Sequence, residues 1–250
     1  MKEIGKRIIS HDDLRNMKIL KRNMTTKVPI VLTKENIVYK IESTHIMSRF
    51  KEYLELFKEI NEFSDCVFPE EILYFNSIEC GYTTKYLNEH KTINRRLIKS
   101  SLSLEWKKAI IYKIINLIKK LHSYDIVHND LQCSNILNDG LDIKLIDFDQ
   151  LKIKGTLSDS MFKRWLKAEI EHLNWVILSI LYDKNLSYIS SEQQSVLINE
   201  LKLNNEFKEY LNNCLSFNEE EVNEDLYLYV NSVTKKDIIE GKNLVKSLNL

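Results

Sequence analysis

Apolar and polar residues alternate over the first forty positions, and the pattern then changes to helical spacing. Strands are predicted over 16–22 (NMKILKR), 27–33 (KVPIVLT) and 36–41 (NIVYKI), with Lys34, Glu35 and Asn36 as a polar turn. Ile46, Met47, Phe50, Leu54 and Phe57 recur on one helical face, so 44–62 reads as an amphipathic helix capped by Thr44. Strands at 71–76 and 81–87 complete a small unit of five strands and one helix.

Beyond Leu87 the spacing is helical. Ser103 is placed to cap a helix over 105–123, with Ala109, Ile110, Ile114, Leu117, Ile118 and Leu121 turned inward. Residues 166–182 (LKAEIEHLNWVILSILY) read as a largely buried helix. Ser191 and Gln194 suggest a capping box for a helix ending near Leu203, and shorter helices fit 205–216, 219–231 and 234–248. The acidic run Glu219–Glu221 falls at one of these predicted starts, where it would complement the helix dipole. The fold class expected is α+β, strands first and helices after.

A chain of 250 residues is long enough for one large domain or two small ones. Lys and Arg number 36 against 36 Asp and Glu, which gives no broad electrostatic surface for nucleic acid. Apolar runs such as WVIL are too short to cross a bilayer, and the charged N-terminus lacks the apolar core of a secretory signal. Cys66, Cys80, Cys133 and Cys214 are scattered without metal-ligand spacing, so they read as reduced thiols, and a cytoplasmic protein is expected.

Residues 126–149, IVHNDLQCSNILNDGLDIKLIDFD, carry the chemistry. Asp130 is followed five residues on by the amide Asn135, and Asp147 comes after a turn at Asn138, Asp139 and Gly140. An acid, an amide and a second acid are what a nucleoside triphosphate with its magnesium needs, because phosphoryl transfer depends on positioning and on cancelling negative charge. The spacing H-x-D-L-x-x-x-N followed by L-I-D-F resembles the catalytic and metal-binding loops of the protein-kinase superfamily.

That resemblance covers about residues 16–182 and implies a single bilobal domain over 1–250. A small antiparallel-sheet N-lobe with one helix would span about 1–84, the hinge about 85–88, and a mainly helical C-lobe about 89–250. It implies ATP and Mg²⁺ as cofactors, Asp130 as the catalytic acid that meets an acceptor hydroxyl, and Asn135 and Asp147 as metal ligands. V-Y-K at 38–40 is similar to V-A-I-K and nominates Lys40 for the α- and β-phosphates. Glu59 is the helix glutamate nominated to hold it, with Glu52 and Glu55 as alternatives. Thr84 would be the gatekeeper, and the backbone from Lys85 to Leu87 would hydrogen-bond the adenine.

Several family features are absent. No glycine lies between Gly5 and Gly81, so a turn at 23–27 (NMTTK) stands where a glycine-rich phosphate loop is usual. Asn129 replaces the arginine of H-R-D, Asp149 replaces the glycine of D-F-G, Gln132 replaces a lysine common in serine/threonine kinases, and no A-P-E follows. Switching by activation-loop phosphorylation is therefore not expected. The acceptor read first is a protein serine or threonine hydroxyl. The alternatives are a sugar or small alcohol, as in lipopolysaccharide core and Kdo kinases or aminoglycoside and choline phosphotransferases, and a nucleotide-binding pseudokinase. Lys152, Lys154, Lys163, Arg164 and Lys167 either face an anionic substrate or form a solvated charged stretch.

Overall fold

In a computed structural model the described residues are 5–15, 17–22, 29–32, 36–41, 53, 63–99 and 102–250. The chain divides into two compact units, 1–90 with 145–149, and 91–144 with 150–250.

The first unit is built on a six-stranded sheet. Its elements are β1 (Gly5–Ile9), a short α1 (His11–Arg15), β2 (Lys18–Arg22), β3 (Pro29–Leu32), β4 (Ile37–Ile41), β5 (Glu71–Phe75) and β6 (Ile78–Lys85), in the spatial order β1-β5-β6-β4-β3-β2. Strands β2 to β4 fall inside the predicted segments, and β6 begins three residues earlier than expected. Period-two alternation supplies one apolar face, where Ile9, Val31, Tyr39 and Leu73 are buried and Met17, Ile37, Ile41, Phe75 and Cys80 pack around them.

The expected five-stranded antiparallel sheet needs one correction. β1 is a sixth strand and pairs parallel to β5, from Gly5 opposite Glu71 to Ile9 opposite Phe75. Its partner lies more than sixty residues away, so no local turn signal announces it; Arg7 fastens the edge through Nε to the Glu71 carboxylate at 2.6 Å. The predicted helix over 44–62, with Glu52, Glu55 and Glu59, lies outside the described residues apart from the buried Tyr53, and so does the 23–27 turn. Gly81 is dictated by a close approach, since a Cβ there would stand 2.1 Å from the carbonyl oxygen of Lys40 on β4.

The second unit is mainly helical. It contains β7 (Lys91–Thr92), α2 (Ile93–Lys99), α3 (Leu104–Ser123), β8 (Ile126–Val127), β9 (Ile136–Asn138), β10 (Ile143–Leu145, whose last residue belongs to the first unit) and β11 (Lys152–Ile153). Then come α4 (Asp159–Tyr182), α5 (Ser191–Glu200), α6 (Asn205–Leu215), α7 (Leu226–Ser232) and α8 (Lys235–Ser247). Ser103 caps α3 as predicted, accepting the Trp106 N–H at 3.1 Å. The buried stripe of α3 is wider than expected: Ile111 and Ile115 join it, Ala109 is exposed, and Lys107 is buried instead.

Lys107 reaches the Leu181 carbonyl and the Asp183 carboxylate, each at 2.7 Å, and Lys242 from α8 pairs with the same carboxylate. Asp183 takes the left-handed conformation (φ 57°) that ends α4, which an aspartate tolerates better than a branched residue. α4 begins seven residues before the predicted 166, capped by Ser158, and is buried on every side from Leu173 to Tyr182. The capping box of α5 is Ser190 with Gln193, one residue earlier than read from the sequence. The acidic run 219–221 does not open a helix, because α7 starts only at Leu226.

Candidate active site

The loop between β8 and β9 holds its chemistry through short local bonds. Asn129 is left-handed (φ 62°), a conformation that asparagine accepts at lower cost than most residues. Its N–H donates to Glu169 Oε1 at 2.8 Å, while Glu169 Oε2 lies 2.7 Å from His122 Nε2. Glu169 is 1% exposed. Burial pushes its carboxyl up, but the His122 hydrogen bond and charge, the charge of His128 and the Asn129 N–H outweigh it and hold the acid below its usual range. A buried anion on α4 therefore ties down the residue preceding Asp130. Neither Glu169 nor His122 was read as a site residue, because a glutamate within a helix carries no local sign of burial.

Asp130 is bonded on both carboxylate oxygens. Gln132 Nε2 donates to Oδ1 at 2.8 Å, and Asn135 Nδ2 donates to Oδ2 at 2.7 Å and to the Asp130 carbonyl at 2.9 Å. Two of the residues named from the sequence, Asp130 and Asn135, thus meet directly. The Asn135 amide nitrogen is committed to Asp130, which leaves its Oδ1 as the acceptor end; Ser134 Oγ lies 3.5 Å from it. Cys133 is fully buried within the loop, and burial pushes its thiol up to about 12. It is a packing residue and an inert thiol.

The hairpin that follows is set by turn chemistry. Asn138 Oδ1 accepts the Gly140 N–H at 3.0 Å, and Asp139 Oδ1 accepts those of Leu141 and Asp142 at 2.8 Å.

In the first unit Lys40 and Asp147 come together. Lys40 Nζ contacts Asp147 Oδ1 and lies 2.7 Å from Asp149 Oδ2. Burial alone would lower the lysine, but the Tyr82 hydroxyl and the two carboxylates raise it well above its ordinary 10.5, so it is a fixed cation at neutral pH. Asp147 is left-handed (φ 74°), and the next residue, Phe148, is buried with its ring 4.6 Å from that of Phe68. Leu145 is held from both sides, its N–H on Asp65 and its carbonyl accepting the N–H of Val67, each at 2.8 Å. Asp149, noted in the sequence only as a departure from glycine, is a second anionic partner of Lys40.

Glu59 lies outside the described residues. Thr84 and Lys85 close β6, opposite Val38 and Ile37, and the His90 N–H donates to the Leu87 carbonyl at 3.2 Å. Thr84 is half-buried, whereas its neighbour Thr83 is fully buried and accepts the Glu71 N–H at 3.1 Å.

Of the basic stretch, Lys163 and Lys167 pair with Glu220, Lys154 pairs with Asp125, and Lys152 lies over the Trp165 ring. Both sequence readings of this run are modified by these internal pairs, and Glu220 has its role here rather than at a helix start.

Magnesium takes hard oxygen donors and only one or two of them from protein. The carboxylate of Asp147 in the first unit and the amide oxygen of Asn135 in the second are each a donor of that kind.

Comparison with known proteins agrees with the loop. The profile of the lipopolysaccharide kinase (Kdo/WaaP) family matches residues 84–193. The mitogen-activated protein kinase HOG1B of Wallemia ichthyophaga is 26% identical over 166 residues, 65% of this chain and 43% of that protein. Extracellular signal-regulated kinase 7 of Drosophila melanogaster is 36% identical over 75 residues, 25% of this chain and 8% of its own length. Mitogen-activated protein kinase pmk-1 of Caenorhabditis elegans is 33% identical over 69 residues, 27% and 18%. The chain spans less than half the length of these curated relatives. Sheet-rich first unit, helical second unit, loop motif and matches together support a place in the protein kinase-like superfamily. Among the described residues no helix is long and apolar enough to cross a membrane.

Proposed function

We propose that the chain is a phosphotransferase that moves the γ-phosphate of magnesium ATP to a hydroxyl, with Asp130 receiving or orienting the hydroxyl proton. The observation that carries this reading is the bonding of Asp130. Both carboxylate oxygens are held by amide donors, so the group is aimed, as a general base requires. Asn135 and Asp147 supply the oxygen donors for magnesium, which would neutralise phosphate charge and orient the nucleotide. Lys40, kept cationic by Asp147 and Asp149, contacts the phosphates. Thr84 and the backbone at Lys85 and Leu87 serve the adenine.

The acceptor favoured is a hydroxyl of a sugar or small alcohol. Only eleven residues, 148–158, separate Asp147 from α4, which leaves little chain for a peptide-docking platform. The Kdo/WaaP family match supports the same class. A protein serine or threonine hydroxyl is the second reading, favoured by the mitogen-activated protein kinase relatives.

A screen with γ-labelled ATP and magnesium separates the two. Label moving to Kdo or choline but never to myelin basic protein supports the small-alcohol acceptor; label on the protein supports the second reading. No transfer to any of them, and no ATP hydrolysis, refutes the phosphotransferase.

A further inference from the structure

Tyr188 lies in the connection between α4 and α5 and is 73% exposed. Exposed tyrosine hydroxyls usually face water. This one donates to the side-chain oxygen of Gln132, and the nitrogen of the same amide donates to Asp130 Oδ1 at 2.8 Å. The amide is oriented by having a donor on one side and an acceptor on the other, and it links an exposed ring to the candidate catalytic carboxylate.

The position of Tyr188 is fixed from below as well. Leu186, two residues earlier, is fully buried, and its N–H donates to Ser179 Oγ at 3.0 Å. Ser179 in turn donates to the Trp175 carbonyl at 2.6 Å on α4. Anchored at Leu186 and tethered at Gln132, the ring presents a fixed face without the entropy loss of ordering a mobile side chain when something binds.

We propose that Tyr188 is an acceptor-side positioning residue. Its hydroxyl orients Gln132, Gln132 orients Asp130, and the exposed ring is the face on which a sugar-type acceptor rests. This rests on the reading of Asp130 as the group that meets the acceptor. It also gives Gln132 a role, because a lysine there has no oxygen with which to accept the tyrosine hydroxyl.

The test uses the full chain with magnesium ATP and two acceptors, water (as ATP hydrolysis) and Kdo. Y188F, which keeps the ring, lowers kcat with both acceptors about fivefold, the scale of one lost neutral hydrogen bond, with KM for ATP unchanged within twofold. Q132L lowers kcat similarly. The double variant loses no more than the larger single loss, since both changes break one chain of bonds. Y188A in addition raises KM for Kdo, whereas Y188F does not. Unfolding midpoints matching the wild type assign these effects to positioning, and Tyr188 is exposed enough for them to hold.

Wild-type kcat in Y188F, or losses that multiply in the double variant, overturn the positioning role while leaving the phosphotransferase intact. An unchanged KM for Kdo in Y188A overturns the ring contact. A wild-type chain that neither hydrolyses ATP nor transfers to any acceptor overturns the phosphotransferase reading and this inference with it.

Discussion

The carboxylate of Glu169 accepts the backbone N–H of Asn129 at 2.8 Å and lies 2.7 Å from the imidazole of His122, so one buried anion joins the end of α3 to the residue before Asp130. A charge taken out of water in this way persists only when bonded on both sides. Removing it strands both partners.

Glu169→Ala is expected to destabilise the fold by about 3–5 kcal/mol, the usual cost of breaking a buried charged pair. Glu169→Gln, which can still accept the Asn129 N–H, loses less, on the order of 1–3 kcal/mol. Urea unfolding at pH 7 reads both, and a wild-type midpoint in Glu169→Ala contradicts the role. The sign with pH follows from the lowered acid. Its stabilisation is present above the ordinary value of 4.5 and is lost as pH falls below it, so the gap between wild type and Glu169→Gln closes in acid.

Lys40 stands between Asp147 and Asp149, with side-chain exposures of 10%, 29% and 11%. Lys40→Met removes the cation beside two acids and is expected to lower kcat about 10²–10³-fold, as loss of an electrostatic contact to transferring phosphate does. Asp149→Gly, the ordinary family residue, leaves Lys40 with Asp147 and is expected to cost less than tenfold. Because the Lys40 value is raised, its contribution is complete below about pH 10.5 and is lost only above that, so stability differences between wild type and Lys40→Met are flat from pH 6 to 9. Chemical denaturation across that range checks it.

Lys107 is a structural cation. Burial lowers its value, and the hydrogen bond and charge of Asp183 oppose that; its Nζ also donates to the Leu181 carbonyl. Lys107→Ala is expected to lower stability by about 3–5 kcal/mol, with Lys107→Met costing less because the stem still fills its space. If the two variants unfold alike and close to wild type, the pair carries no stability.

Asn135→Ala and Asp147→Asn are each expected to weaken the magnesium-dependent part of ATP binding, seen as loss of the extra thermal stabilisation that Mg²⁺ adds to ATP. Asn135→Ala also takes a donor from Asp130, so it lowers kcat beyond its effect on metal affinity. A magnesium response equal to wild type in both variants removes them as ligands.

Local signals in the sequence carried the elements that local physics determines. Ser103, the period of α3 and the alternation of β3 and β4 each announce themselves within a few residues. The loop motif likewise nominated Asp130, Asn135 and Asp147, and the strand at 37–41 nominated Lys40. What stayed hidden was long-range. β1 finds its parallel partner across the chain, Lys107 is buried by α4 and α8, and Glu169 looks like any charged helix residue until His122 and Asn129 meet it. The helix start read at 219 failed for a related reason: acidic residues suit a helix N-terminus, but Glu220 is taken by Lys163 and Lys167 of α4.

The most direct measurement compares Asp130→Asn with wild type, using γ-labelled ATP turnover and nucleotide affinity on the same samples. The account predicts that wild type turns over only with magnesium, that Asp130→Asn loses about 10²–10⁴-fold in kcat, and that the Kd for magnesium ATP moves less than threefold. Turnover in Asp130→Asn equal to wild type, or no magnesium-dependent nucleotide binding by either protein, contradicts it.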